Sequence, residues 1–337
     1  MNMLRCIPLF LAGFSVYGNA LAASTTPDKD GPVCSSTLCA FNMKGGVYAG
    51  ITGYYVKPSE TGIGMVTDSW LYGNTGNFIA ISTPFNPVHK WAGSVKLGYN
   101  LPMSANNIEA NYLFLDNKTH AFNDFADGSI GFGSILFPDA AFPPTPGFVS
   151  DASLTYKVNQ IDLKAGRKYS DVSGVFSIKP SLGLRYAELK HILTFTAPGN
   201  MISTYNGAGP MLSIDGTYTL GHGFGLVGYF DYGLLVGTIN AHSFVSLLGT
   251  NFNFSWPKRD RIVNSLSGKL GVDYSHNFAS SSNVTLEAGY QINEYINSMD
   301  TIRGTVPLAQ GVIQRINGYE TNSFGFRGPY ISLTVAA

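Results

Sequence analysis

The sequence predicts an all-β fold: a transmembrane antiparallel β-barrel of about ten strands, with eight or twelve left open. Three observations carry this. Apolar and polar residues alternate with period 2 in ten stretches, aromatic rings sit near the ends of the apolar faces, and the gaps between stretches alternate long and short. Period 2 gives a strand one oily and one wet face. About 9–11 residues cross a bilayer at a tilt, which is the length of the clearest stretch.

Residues 1–22 read as a secretory signal. Arg5 supplies a charge, an apolar stretch follows, and Ala20-Leu21-Ala22 is a small-x-small cleavage site. Residues 23–45 form an N-terminal periplasmic segment, and the barrel is expected over 46–337. Its strands are placed at 47–57, 90–101, 108–115, 152–167, 175–196, 205–220, 223–237, 262–275, 284–293 and 322–335. In 90–101, Trp91, Gly93, Val95, Leu97 and Tyr99 oppose Lys90, Ala92, Ser94, Lys96 and Gly98. In 262–275, Leu266, Leu270, Val272 and Tyr274 oppose Ser265, Ser267, Lys269 and Asp273; in 284–293, Val284, Leu286, Ala288 and Tyr290 oppose Thr285, Glu287 and Gln291. Two strands change phase midway: Leu154, Tyr156 and Val158 give way to Ile161, Leu163 and Ala165, and Phe324 and Phe326 to Ile331, Leu333 and Val335. A one-residue bulge in each, the second near Gly328-Pro329, would restore the facing.

The gaps 58–89, 116–151, 238–261 and 294–321 are long, 197–204 is intermediate, and 102–107, 168–174, 221–222 and 276–283 are short. Outer-membrane barrels have long outer loops, short periplasmic turns and an even strand number. A secreted β-sandwich also alternates, but it buries its oily faces in one core and has no use for aromatics at both ends of a face. After residue 22 no apolar run reaches the roughly 20 residues of a membrane helix.

Lys and Arg total 21, as do Asp and Glu, with no basic stripe, so nucleic acid is not an expected partner. Cys34 and Cys39 are the cysteines beyond the signal. Their even count in an oxidising compartment suggests a small disulfide loop, with an intermolecular bridge left open. Gly221-His222-Gly223-Phe224-Gly225 lacks the βαβ setting of a phosphate loop and reads as a turn. His89, His120, His191, His222, His242 and His276 show no metal-ligand spacing, and no Ser–His–acid or Asp–His set converges on one rim. No enzyme activity, cofactor or metal is expected.

Taking the wet face of each strand as luminal gives Lys90, Lys96, Lys157, Lys164, Lys179, Arg185, Lys269 and Arg327, with Glu109, Asp162, Asp215, Asp231, Asp273 and Glu287. These charges would line a narrow pore or pair into a plug, since a small barrel can be filled by side chains. At the outer mouth, Asp124, Asp127 and Asp139 would favour cations.

Several segments resemble one family. Tyr205-Asn206-Gly207-Ala208-Gly209-Pro210, Ile214-Asp215-Gly216-Thr217-Tyr218 and Gly223-Phe224-Gly225-Leu226 are similar to the central signature of the Legionella major outer membrane protein family. Gly31-Pro32-Val33-Cys34, Gly183-Leu184-Arg185-Tyr186-Ala187 and Ala288-Gly289-Tyr290-Gln291 resemble other pieces of that family, in the same order along the chain. The resemblance implies a surface-exposed outer-membrane barrel with porin activity, implicated in host-cell contact. The chain departs in ending Thr334-Val335-Ala336-Ala337, where such barrels commonly end in an aromatic residue. The leading expectation is porin-like passage of small polar solutes or ions in the outer membrane. The alternative is an adhesin with a closed lumen, whose long loops, such as the Phe-rich 116–151, bind a host surface ligand. Outer-membrane lipid is the expected surrounding partner, and a homo-oligomer is left open.

Overall fold

The computed structural model describes residues 33–35, 38–43, 45–61, 65–72, 77–84, 86–123, 130–134, 150–195, 199–247, 250–278, 282–305 and 315–337. In chain order its strands are β1 (Val33–Ser35), β2 (Leu38–Ala40), β3 (Gly46–Glu60), β4 (Met65–Tyr72), β5 (Asn77–Pro84), β6 (Lys90–Asn100), β7 (Asn106–Asn123) and β8 (Ile130–Ser134). There follow β9 (Ser150–Arg167), β10 (Tyr169–Asp171), β11 (Phe176–Phe195), β12 (Gly199–Gly221), β13 (Phe224–Leu247), β14 (Thr250–Asn277), β15 (Asn283–Thr305) and β16 (Arg315–Ala336).

Ten of these close an antiparallel barrel in the order β3-β6-β7-β9-β11-β12-β13-β14-β15-β16, with β16 pairing back onto β3. All ten anticipated strands are present. Short turns and both ends of the barrel chain lie on one side, which by the loop-length asymmetry is the periplasm. The turn between β12 and β13 is the two-residue His222-Gly223, both at positive φ (55° and 87°), as a hairpin turn matched to strand twist requires. On the outer side, β4 pairs with β5 and β8 in a separate three-stranded sheet. The anticipated loop 58–89 thus contains a hairpin.

Within the membrane the outer face is apolar: Leu97, Leu270 and Val272 are 59%, 72% and 52% exposed on the isolated barrel. Tyr99, Tyr218, Phe224 and Tyr274 ring the periplasmic end of this face; Tyr55, Trp91, Tyr112 and Tyr186 lie toward the other end, with Tyr55 and Trp91 in ring contact at 5.4 Å.

The two expected phase changes are not bulges. Pairing of β9 with both neighbours is unbroken, and β16 keeps one register through Gly328-Pro329. Leu154, Tyr156 and Val158 point inward on the same face as Gln160, Asp162 and Lys164, while Ile161, Leu163 and Ala165 point outward. Likewise Phe324 and Phe326 are buried inside, and Ile331, Leu333 and Val335 face out. The side that must be apolar switches at the membrane boundary: lipid lies outside below it, water outside above it. Above the boundary the strands therefore carry an internal core, as a soluble barrel would.

The anticipated long loops at 238–261 and 294–321 are mostly strand. Bulges hide them from a period-2 reading. One lies between Trp256 and Arg259, at Pro257-Lys258; another between Tyr295 and Met299, where Asn297 has φ 60°.

Candidate functional site: a charged cavity beneath an apolar plug

The inward face divides into two layers. In the periplasmic half the strands present polar side chains around a cavity of about 350 Å³. Lys96, Glu109, Lys179, Asp215, Asp231, Lys269 and Glu287 line it, joined by Asp162 and Lys164. Their position follows from strand parity, and glycines make room for them: a Cβ on Gly50 would meet the Lys96 stem, and one on Gly98 the Tyr48 ring.

One wall is an ion-pair cluster. Lys164 lies 3.3 Å from Glu109 and 3.8 Å from Asp215; Lys179 lies 2.8 Å from Asp215 and 3.9 Å from Glu109. On the opposite wall phenols replace ammonium groups as partners. Tyr229 and Tyr330 donate to Glu287, and Lys269 donates to the Tyr54 hydroxyl at 3.0 Å, while Tyr48 reaches across to donate to Glu109 of the first wall. These tyrosines are the functional residues a sequence reading misses, because an aromatic on a barrel strand reads as girdle or lipid face.

Arg185, expected to line the lumen, is not in the cavity lining; it lies buried behind the lining residues Asp162 and Asp231. Its guanidinium grips Asp162 with two bonds, of 2.7 and 2.9 Å, and donates to Ser265 at 2.8 Å; Asp231 stands 3.7 Å away. Gln160 secures Asp162 at 2.8 Å and accepts from Tyr295. Above this pair the lumen is apolar. Leu154, Tyr156, Leu189, Leu193, Met201, Tyr205, Tyr295, Phe324 and Phe326 belong to one cluster and are all under 2% exposed. Within it His191 and Glu60 stand 3.2 Å apart with fully buried side chains.

Lys90 and Asp273 share the inward parity but lie outside the cavity lining. Lys157 and Arg327 correct the luminal assignment. Both are exposed on the outer face, Lys157 paired with Asp116 at 3.0 Å, because the wet side of a strand is the outside once it clears the membrane. Asp124, Asp127 and Asp139 lie outside the described residues.

At the periplasmic rim a disulfide joins Cys34 and Cys39 across the β1–β2 hairpin, and β2 pairs with β10 through Leu38–Asp171 and Cys39–Ser170. The chain then bridges Met43 to Ser104, and Met43 edges the cavity. The Ser173 hydroxyl and the Phe176 amide hold the Asp171 carboxyl below its ordinary value, and burial, then Lys179, lowers Lys168. No group of three or more His, Cys, Asp or Glu suited to a metal occurs among the described residues.

A family profile described as Legionella pneumophila major outer membrane protein precursor matches residues 48–337. The chain belongs to this family. Membership, with the barrel fold, places the protein in the outer membrane. No curated protein matches the chain. Among solved structures, the outer membrane protease OmpT from Escherichia coli is 11% identical, with a TM-score of 0.46 over 87% of this chain and 97% of that one. The Pseudomonas putida toluene transporter TodX is 10% identical, TM-score 0.29, over 86% and 89%. The translocator domain of the autotransporter NalP from Neisseria meningitidis is 11% identical, TM-score 0.30, over 96% and 94%. None of these likenesses carries an activity over to this family member.

Proposed function

We propose that this protein is a surface-exposed barrel whose lumen is closed and whose function resides in the part that projects from the outer leaflet. The apolar plug supports this reading. Side chains under 2% exposed, contributed by strands all around the barrel, fill the lumen above Arg185. Ions would have to shed water to pass such a layer. The projecting part is large: β12–β15 run 23, 24, 28 and 23 residues, against the roughly 9–11 needed to span. Such a structure offers a rigid outer wall and long connections as a binding surface, consistent with an adhesin for a host surface ligand. Membership of a major outer membrane protein family speaks for a non-enzymatic role.

Porin-like passage of small polar solutes is the second reading, favoured by the charged cavity, which supplies half of a wet path. Recording from purified protein in a planar bilayer separates the two. The closed-barrel reading expects a quiet bilayer, and regular open-channel steps at low voltage would overturn it in favour of passage.

A further inference from the structure

We infer that one side of the barrel's outer rim binds the phosphate groups of the glycolipid in the outer leaflet. The inference goes beyond the reading above and holds whether or not the lumen conducts.

Five bases stand on the outer face just beyond the apolar belt. They are Arg327 on β16, Lys57 on β3, Lys118 on β7, Lys157 on β9 and Lys190 on β11. These strands lie on one contiguous arc, β16-β3-β6-β7-β9-β11. Their height is fixed by the switch in facing. On β16, Arg327 falls between inward Phe326 and outward Ile331; on β9, Lys157 falls between inward Tyr156 and outward Ile161. On β3, Lys57 follows outward Tyr55 on the same face, one step above the aromatic girdle. That is the level of lipid headgroups.

The bases are also placed against one another. Arg327 is the direct cross-strand partner of Lys57, and Lys190 that of Lys157. Like charges directly opposite on a sheet repel unless a counter-ion lies over them. Among the described side chains, the outward-facing acids near this level on the arc are Asp116, which pairs with Lys157, and Glu188, two residues from Lys190 on the same face. Among the described residues no acid lies within ion-pair distance of Lys57, Lys118, Lys190 or Arg327. At the arc's edge, Glu294 on β15 faces Gly325 across the sheet. Elsewhere among the described residues, outward-facing charge near this level includes Lys258 and Asp260, close together on β14. A two-dimensional array of anions at headgroup height is what this arc complements, with four bases that have no acid partner and a fifth, Lys157, that shares its charge with Asp116; clustered bases beside a membrane attract such lipids.

The test uses the full folded chain in detergent, its fold checked by heat-modifiable gel mobility. Native mass spectrometry would compare binding of a bis-phosphorylated lipid A with its phosphate-free counterpart. The expected result is at least about a ten-fold weaker interaction without phosphates. The quadruple variant Lys57→Gln, Lys157→Gln, Lys190→Gln, Arg327→Gln should show the same loss and no further preference for phosphate, while Lys258→Gln behaves as wild type. Equal binding of the two lipids by the wild-type chain would overturn the proposal without recourse to any variant. So would displacement of the lipid by millimolar inorganic phosphate, which would point to a site for the free anion.

Discussion

Arg185 shows why single residues matter in this lumen. Its guanidinium is 1% exposed and meets Asp162, Ser265 and Asp231. Removing one partner of a buried pair strands the other charge at a cost of about 3–5 kcal/mol, whereas replacing both is far less costly. Arg185→Ala should therefore lower the urea midpoint of the folded-to-unfolded gel shift strongly, and Arg185→Met with Asp162→Leu should recover part of it. A single variant as stable as wild type would refute the pair's role. At the rim, Asp171 belongs to the opposite regime, open to solvent and held below its ordinary pKa mainly by the Ser173 hydroxyl. A depressed carboxylate contributes stability above its unfolded pKa and loses it as pH falls through the folded one. NMR of the 172–175 turn should show amide protection intact at pH 5 and declining only below the usual carboxylate range, with Asp171→Asn insensitive to pH there.

At the scale of the strand, the switch in facing makes a sharp prediction about charge. Leu163 and Thr155 both point outward on β9, one within the apolar belt and one above the boundary marked by Lys157. Leu163→Lys should destabilise by about 2–4 kcal/mol, the cost of a base facing the bilayer midplane, and Thr155→Lys by a few tenths. Equal costs measured by urea titration in lipid vesicles would place the boundary elsewhere. The same switch governs how much of the fold is legible in the sequence. All ten barrel strands could be read because alternation survives wherever one face meets lipid. Leu154, Tyr156, Val158, Phe324 and Phe326 were misplaced because alternation reports that two faces differ, not which is inside. The outer halves of β13–β16 escaped notice where Pro257 and Asn297 sit at bulges that break the period. Of the cavity, the charged residues were legible from parity, whereas Tyr48, Tyr229 and Tyr330 were not, because a tyrosine serves equally as girdle, core or hydrogen-bond donor.

On the scale of the whole molecule, strands of 23–28 residues in β12–β15 span and then continue. At about 3.3 Å per residue and a tilt near 40°, that side of the barrel should rise roughly 30 Å above the outer leaflet. The plug and the projection have one cause. A tall barrel in water needs an apolar inside, and a ten-stranded one is narrow enough for Tyr, Phe, Leu and Met to meet across it. This sets the terms for the last prediction. Tyr156, Tyr295 and Phe324 stack at the heart of the plug, with ring centroids 5.0 Å apart for Tyr156–Phe324 and 6.3 Å for Tyr295–Phe324. Truncating all three to Ala removes the rings that separate the charged cavity from the outer rim. Each truncation costs about 3–5 kcal/mol if the site cannot collapse, so folding of the variant must be verified by gel mobility first. If the plug is what closes the lumen, the folded triple variant should conduct in a planar bilayer where the wild-type chain is silent. Sequential restoration of Tyr156, then Phe324, should close it again in steps. A variant that folds and stays silent would locate the barrier at the Arg185 layer instead, and a wild-type chain that conducts as well as the variant would show that ions pass the rings without their removal.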